Sequence, residues 1–425
     1  ISLVQIELSK LMGKDKWTRH RQYLSRTILL LLQNSFSLSM PTSRPRYMGE
    51  NLLLSTAQGG GPPSSSLPSC PCCSFLSNAL FLPPDAAQIE SCSIIQDYAV
   101  KLDGMTPLES LSQISKASVE SQKVLLVDTH GHPQLDRERH EAYIEEEESM
   151  KKDHCTEVVA LSCAVSESDW ESTLAYASRS EKILPGLGIH PWYLEGLSST
   201  WLTDLETLLV QHPSAIVAEI GLCKIAKFVR SHPDGKAAAL QMQRRVFLDQ
   251  LQLAAKLKRP VSVHCVQQQG PFMAVMKEMV EEARKKTKKK SDDSNTDQAT
   301  KLINAFPTAI GMHSFTGTAH HVKEILKFEK TWFPNQKLFY FGFSHAVNVA
   351  MCSSEKSRRQ GLEAIRAVPF DRLMAESDVH TTEDVPAGTA GAIAYIAFAL
   401  DKPLIEVAEM TASNGVAFLN TSITD

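Results

Sequence analysis

Six imidazole and carboxylate side chains stand where short apolar segments of the chain end. They are His130, His132, Glu219, His264, His313 and Asp378. Side chains of these two types are common nitrogen and oxygen ligands of divalent metals, and carboxylates also act as general bases in hydrolysis. Without a cation, gathering them in one place would bury polar groups at a high cost in free energy. The pattern therefore predicts a metal centre, provided that the fold brings the segment ends together.

The segments that precede these side chains belong to a series of eight apolar runs. The runs begin at Val124, Val158, Ile183, Ala215, Pro260, Ala309, Leu338 and Arg372. Uninterrupted apolar runs are typical of parallel strands that are buried on both faces. Amphipathic stretches such as residues 241–258 separate them and roughly follow helical spacing. The series predicts an α/β fold, a (β/α)₈ TIM barrel. The alternative is an open doubly wound sheet, but no glycine-rich phosphate loop follows the first run.

A barrel of this kind would bring the six side chains to one rim, because the carboxyl ends of all its strands open on the same side. His130 and His132 are two positions apart, so strand alternation points both to one face. Mixed nitrogen and oxygen ligands suit Zn²⁺, Mn²⁺ or Fe²⁺, whereas a preference for oxygen alone would favour Mg²⁺. The ligands suffice for two ions with Glu219 between them. Asp378 could then orient a water molecule and take its proton.

Composition limits the other classes of function. The chain has 425 residues and a formal net charge of -4, so no global positive field attracts nucleic acid. Its nine cysteines, an odd number in a large chain, do not indicate a disulfide framework. We therefore expect a reducing compartment, the cytoplasm or the nucleus. The longest aliphatic run, residues 28–32, is too short to span a bilayer, so no membrane segment is predicted.

The chain is predicted to divide into two regions. Residues 1–118 include a run rich in glycine, proline and serine from Gly59, which cannot bury enough apolar surface to order itself. We expect this region to be a low-complexity, disordered extension. Residues 119–425 are expected to form the barrel. Within the barrel, the highly charged segment 283–300 is predicted to be a disordered insertion at the surface.

The motifs around the six side chains resemble those of the TatD family of metal-dependent hydrolases. The resemblance covers about residues 120–420, and its motifs occur in family order as DTHGH, GIHPW, AEIGL, VHC, MHSFTG and ESD. The variants VHCVQQQG, FGFSHAVN and ESDVHT are most similar to a fungal branch. Members of that branch include proteins reported to interact with the anaphase-promoting complex.

The resemblance implies a hydrolase of phosphodiester bonds, deoxyribonuclease-like, that holds two divalent ions, Zn²⁺, Mn²⁺ or Mg²⁺. The six side chains named above would be the ligands, with Glu219 and Asp378 as the catalytic carboxylates. His190 in GIHPW would face the substrate or form a structural hydrogen bond below the site. His345, after the seventh run, is a weaker candidate for substrate binding. DNA or another phosphodiester would be the substrate, and the fungal branch adds a protein partner in a cell-cycle complex.

The sequence departs from the family pattern near these motifs without losing a ligand. Cys223 stands where the family usually has aspartate, Trp192 where bacterial members have histidine, and Val379 and His380 where Ser-Pro is usual. A thiol is a poor hydrogen-bond acceptor, so Cys223 cannot make the same bonds as a carboxylate.

Two alternative functions stay open. One is an amidohydrolase-type hydrolase of a small molecule, since one fold serves several chemistries. The other is a weakly active protein that acts mainly as a binding partner of a cell-cycle complex.

Overall fold

The computed structural model describes residues 106–120, 124–135, 156–289, 298–352 and 354–420. Eight parallel strands form one sheet in the order of the chain. The strands are β1 (Val124–Gly131), β2 (Thr156–Cys163), β3 (Ile183–Leu187), β4 (Ile216–Cys223), β5 (Val261–Val266), β6 (Ile310–Met312), β7 (Phe339–Ser344) and β8 (Leu373–Glu376). Each predicted apolar run is a strand, so the predicted (β/α)₈ barrel is confirmed. A doubly wound sheet would reverse its strand order, which this sheet does not.

Helices precede the first strand, lie between the strands and follow the last one. They are α1 (Pro107–Glu120), α2 (Trp170–Ala177), α3 (Trp201–Gln211), α4 (Lys227–Ser231), α5 (Gly235–Lys256), α6 (Gln269–Lys289), α7 (Gln298–Ile303), α8 (Ala319–Trp332), α9 (Glu355–Ala367), α10 (Val385–Leu400) and α11 (Leu404–Asn420). Single helical turns occur at Pro133–Leu135, Glu167–Asp169, Ala346–Ala350 and Phe370–Arg372. No helix in the described part of the chain has both the length and the apolar character needed to cross a bilayer.

The interior of the barrel is filled from the end where the strands begin. Phe418 of α11 is fully buried and packs with side chains from the strands, including Val127 and Ile216. Its ring lies so close to β6 that a Cβ on Gly311 would come within 2.9 Å of it. Since this end of the barrel is closed by packing, an open cavity is expected at the other end, where the strands finish.

The seam between β8 and β1 is closed by side-chain and loop hydrogen bonds. The carboxylate of buried Asp128 accepts from Ser377 twice, from the backbone N–H at 2.8 Å and from the hydroxyl at 2.5 Å. Beyond the strands, the N–H of Asp378 donates to the carbonyl of His130 at 2.9 Å. The side chains of Asp378 and His130, two predicted ligands, are therefore positioned by the bonds that close the barrel.

The boundaries of the two predicted regions differ from those in the structure. Helix α1 begins before the predicted boundary at residue 119, packs against α10 and buries Leu111 and Ile114. The packed unit thus extends into the region that was predicted to be disordered, because an amphipathic helix follows the low-complexity run. The prediction for residues 1–105 lies outside the described residues.

The segment 283–300, which the sequence predicts to be a disordered insertion, is helical wherever the structure describes it. Helix α6 continues to Lys289 and α7 begins at Gln298, so both ends of the segment are helical. Residues 290–297 lie outside the described residues. The charged side chains of Arg284 and Lys285 are exposed, as on a solvated helix face.

Replacing Asp128 by alanine is expected to destabilise the barrel at its seam. The N–H groups of Ser377 and His130 donate to Asp128 at 2.8 and 3.2 Å and would both lose their acceptor. Each buried donor without a partner costs about 1–3 kcal/mol. We expect a free energy of unfolding about 2–4 kcal/mol lower than in the wild type, measured on metal-free protein in urea. Ser377→Ala keeps both N–H donors and should lose only about 1 kcal/mol. An equal loss in the two variants would contradict this account of the seam.

Candidate metal centre

The carboxylate of Glu219 lies at the centre of a buried cluster at the carboxyl ends of the strands. Glu219 is on β4 and is 4% exposed. Its Oε1 lies 2.9 Å from His313 Nε2, 3.0 Å from His264 Nδ1 and 3.4 Å from His190 Nε2. His190 follows β3, His264 is near the end of β5 and His313 follows β6, so neighbouring parallel strands bring the three rings to one carboxylate oxygen.

The second oxygen of Glu219 faces the region where β1 ends. Oε2 lies 3.7 Å from His130 Nε2 and 3.5 Å from His132 Nε2. Asp378, just after β8, has Oδ1 at 3.8 Å from His132 Nε2 and Oδ2 at 3.9 Å from His313 Nδ1. Its backbone has a φ of +54°, which few residues other than glycine adopt. The structure therefore gathers all six predicted ligands at one end of the barrel.

Donor atoms in this cluster lie close enough together to share metal ions. Three overlapping groups have donor atoms that all lie within 4.8 Å of one another. The groups are His130 with Glu219 and His313, His130 with His132 and Asp378, and His190 with Glu219 and His264. Each group combines imidazole and carboxylate donors, as first-row transition metals prefer.

Unsatisfied polar atoms provide a second test of whether the cluster fits a cation. His130 Nε2, His264 Nε2 and His313 Nδ1 are buried and have no hydrogen-bond partner among the described residues. Buried polar atoms normally find a partner, since leaving one without a bond is costly. Two of the three nitrogens belong to rings that also contact Glu219 within 3.0 Å. The residues present therefore fit a divalent metal site.

The charge states of the cluster follow from burial and from its carboxylates. Burial lowers the pKa of His190 well below its ordinary value, although the neighbouring Glu219 raises it. Burial raises the pKa of Glu219, but His190 and His313 outweigh it and hold the pKa well below the usual range. Burial likewise lowers the pKa of His313, but Glu219 and Asp378 raise it well above the usual value. In the metal-free cluster, His313 is thus the proton carrier next to an ionised Glu219.

Hydrogen bonds from outside the cluster orient its members. His132 Nδ1 lies 2.7 Å from the carbonyl of Cys163 and donates to it, which leaves Nε2 free to face the cluster. The hydroxyl of Ser314 donates to Asp378 Oδ2 at 2.8 Å. The N–H of Ser314 in turn donates to the buried carboxylate of Glu376 at 2.6 Å. Ser314 therefore fixes the side chain of Asp378 with respect to β8.

Cys223, the position that departs from the family pattern, lies beside the cluster. Its Sγ accepts a hydrogen bond from Trp192 Nε1 at 3.1 Å. The amide of Gln243 bonds both backbone groups of Cys223 at 3.1 Å and donates to the carbonyl of Pro191 at 2.9 Å. Cys223 is in none of the three groups of close donor atoms. The sequence predicted a lost acceptor here, whereas the structure shows a sulfur that accepts from an indole.

A cavity opens above the cluster and has an aromatic and aliphatic rim. Leu135, Trp192 and Tyr193 line it and are 43%, 46% and 48% exposed. Val347 and His380 also line it. Among the residues that the structure describes, none of those lining the cavity is lysine or arginine. Positive charge in this cavity therefore comes from the cluster and from whatever cation it holds.

Of the two histidines that the sequence assigned to substrate binding, one lies in the cluster and the other lies away from the cavity. His190 lies inside the cluster, 3.4 Å from Glu219. His345 is buried but does not line the cavity, and it faces α10, where a Cβ on Gly391 would lie 3.1 Å from the Cβ of His345. Sequence reasoning missed Glu376, which accepts a hydrogen bond from Ser314, although its place at the end of β8, two positions before Asp378, was a usable signal.

The chain is similar in sequence or in fold to several known proteins. The sequence model of a family described as TatD related DNase matches residues 127–420. Cut9-interacting protein scn1 of Schizosaccharomyces pombe is 24% identical over 239 residues, 53% of this chain and 68% of that protein. The 3'-5' RNA nuclease TATDN2 of Homo sapiens is 26% identical over 210 residues, 49% of this chain and 21% of that protein. The crystal structure of YJJV, a TatD homologue from Escherichia coli, is 18% identical with a TM-score of 0.49, covering 69% of this chain and 98% of that one.

Metal uptake by this cluster is expected to release protons. The raised pKa of His313 keeps its ring protonated near neutral pH, and a ligand nitrogen must lose that proton. As pH rises through the pKa of His313, the competing proton is lost, so the affinity for Zn²⁺ should rise with pH. Calorimetric titration of metal-free protein in two buffers of different ionisation enthalpy measures the release. The surface variant His320→Ala should behave like the wild type. Equal binding enthalpies in both buffers would show that no proton leaves.

Proposed function

The chain belongs to the TatD-related DNase family, and from this we propose that it hydrolyses phosphodiester bonds of nucleic acid with two divalent metal ions. The observation that carries the proposal is the position of Glu219, whose two oxygens face separate sets of imidazoles. The name of the human relative, an RNA nuclease, supports a nucleic-acid substrate. DNA and RNA are therefore both substrates to test.

The cluster divides naturally into two halves that share Glu219. His130, His132 and Asp378 would hold one ion, and His264 and His313 the other, with Glu219 between them. When bound, such a pair supplies Lewis acidity toward a phosphoryl oxygen and a water nucleophile at neutral pH. Zn²⁺, Mn²⁺ and Mg²⁺ are the candidate metals, and the histidine-rich donor set favours the first two.

In this proposal, Asp378 would take a proton from the attacking water. Burial raises its pKa, but the charges of His313 and other histidines outweigh burial and lower it, so Asp378 is a carboxylate at neutral pH. Its side chain is 11% exposed, lines the cavity and is held at Oδ2 by Ser314. A general base must be ionised, oriented and open to the substrate side, and Asp378 meets all three conditions.

An amidohydrolase-type reaction on a small molecule stays a second candidate because of the cavity lining. A nuclease that gripped several phosphates would have lysine or arginine near the site, and none of the described lining residues has that character. Hydrolysis of bis(p-nitrophenyl) phosphate against p-nitrophenyl acetate separates the two reactions. We expect the phosphodiester to be the better substrate. The opposite preference would favour the small-molecule hydrolase.

A weakly active protein that binds a partner is the third candidate. The name of the fission-yeast relative, an interacting protein, and the thiol at Cys223 favour it. This hypothesis requires that a metal-ligand variant still binds the partner. Rapid turnover by the wild type would contradict it. The predicted cytoplasmic or nuclear localisation stays a prediction.

Loss of either half of the cluster is expected to abolish cleavage. His264→Ala removes an imidazole from one side of Glu219, and Asp378→Ala removes the general base from the other. We expect each to lower the rate of cleavage of labelled DNA and RNA oligonucleotides by roughly 100-fold or more. EDTA should stop the wild type, and added Zn²⁺, Mn²⁺ or Mg²⁺ should restore it.

The matched control for these variants is His320→Ala. His320 is a histidine on α8 whose side chain is 77% exposed, so its loss should leave the rate unchanged. Bound metal is measured in every variant to relate rate to occupancy. Wild-type protein that leaves both DNA and RNA intact with all three metals would overturn the proposed function.

A further inference from the structure

The indole of Trp192 borders the metal cluster without belonging to it. Its ring stands nearly edge-on to two histidines, with centroids 5.3 Å from His190 and 6.3 Å from His264. Trp192 is nevertheless 46% exposed and lines the cavity. Together with the exposed side chains of Leu135 and Tyr193 in the same lining, the ring forms an exposed apolar patch beside the cluster, as ligand-binding surfaces often do.

The position of this indole is fixed by the protein. Nε1, the single polar atom of the side chain, donates to Cys223 Sγ at 3.1 Å. Cys223 is itself buried, and Gln243, which is fully buried, bonds both of its backbone groups. Because the polar edge of the ring is already bonded, what Trp192 offers to the cavity is flat apolar surface. Such a preorganised ring loses little conformational entropy when a ligand stacks on it.

The rest of the rim indicates what kind of ligand would use this surface. Tyr193 and Leu135 are also large, exposed side chains in the lining. The described lining has no lysine or arginine that could grip further phosphates. The metal cluster can bind a cation at the base of the cavity, and the flat indole of Trp192 lies at its side. This arrangement suits a ligand that has a phosphate next to a planar ring, as a nucleotide does.

We propose that the base of the nucleotide next to the scissile phosphate stacks on Trp192, and that Cys223 holds the indole in position for it. This inference rests on the proposed function and adds how the substrate is recognised. Stacking on an aromatic ring tolerates every base, because each has a π-face. Recognition at this position therefore depends on the presence of a base and not on its identity.

A binding measurement without catalysis tests the stacking. The probes are a fluorescein-labelled five-nucleotide oligothymidylate and an abasic strand of the same length with the same label, both with phosphorothioate linkages that resist cleavage, titrated by fluorescence anisotropy with Zn²⁺-loaded protein. We expect the wild type to bind the thymidylate strand more tightly than the abasic strand. Trp192→Leu should weaken thymidylate binding by roughly 5-fold to 100-fold and remove the difference between the strands. Trp192→Phe, which keeps a flat ring, should retain most of the difference.

Cys223 is tested as a positioning residue by rescue. Cys223→Ala removes the acceptor of Trp192 Nε1 and should reduce the preference for the strand with bases. Cys223→Ser supplies a hydroxyl oxygen, a better acceptor than a thiol, and should restore the preference. A merely structural role for the thiol would give the two variants the same strand preference. Thermal unfolding and circular dichroism show whether each variant is folded.

The matched control for Trp192→Leu is Phe398→Leu. Phe398 is on α10, is 40% exposed and does not line the cavity, so its variant should bind both strands as the wild type does. A wild type that does not distinguish the thymidylate strand from the abasic strand overturns the inference. So does a Trp192→Leu variant that keeps the wild-type preference.

Cleavage assays on the same proteins separate this inference from the proposed function. Strand preference through Trp192 without any cleavage would contradict the proposed hydrolysis and leave the stacking intact. Cleavage without a base preference would contradict the stacking alone. In the metal-loaded enzyme, Trp192→Leu should raise KM more than it lowers kcat, because stacking binds the substrate and the transition state alike.

Discussion

Burial of the Glu219 carboxylate is the constraint on which the site depends. An isolated carboxylate in an apolar interior is very costly, and the chain offsets that cost with imidazoles on every side. Those imidazoles come from the ends of different strands. A shift of one residue in any strand would turn its histidine to the opposite face. The register of the whole sheet is therefore tied to the balance of charge around one side chain.

The same hydrogen bonds close the barrel and set the geometry of the cluster. Asp128 bonds Ser377 across the seam, and His130 lies two residues after Asp128 while Asp378 directly follows Ser377. Ser314 connects the end of β6 to both Glu376 and Asp378. The seam of the sheet therefore also supports His130 and Asp378, two of the predicted ligands. Such shared support is what a preorganised hydrolytic site requires.

The sequence predicted the barrel and the six clustered side chains for a simple physical reason. Buried parallel strands are continuous apolar runs, and polar residues at their ends must meet on one rim. The contacts between loops could not be predicted in this way. In the sequence, Trp192 and Cys223 are two separate departures from the family motifs. In the structure, their side chains are hydrogen-bonded to each other across 31 positions. The sequence also could not predict that His345 lies away from the cavity, because the chain forms a short helix immediately after β7.

Helix α1 covers apolar surface on the outside of the barrel. Helix α10 is buried along nearly its whole length, and α1 covers part of it, with Pro107 close to Gly391. A protein that begins at residue 119 would retain every strand and every predicted ligand. It would also uncover the apolar strip against which Leu111 and Ile114 pack. Exposed strips of this kind promote self-association, so colloidal solubility depends on a helix that contributes nothing to the chemistry.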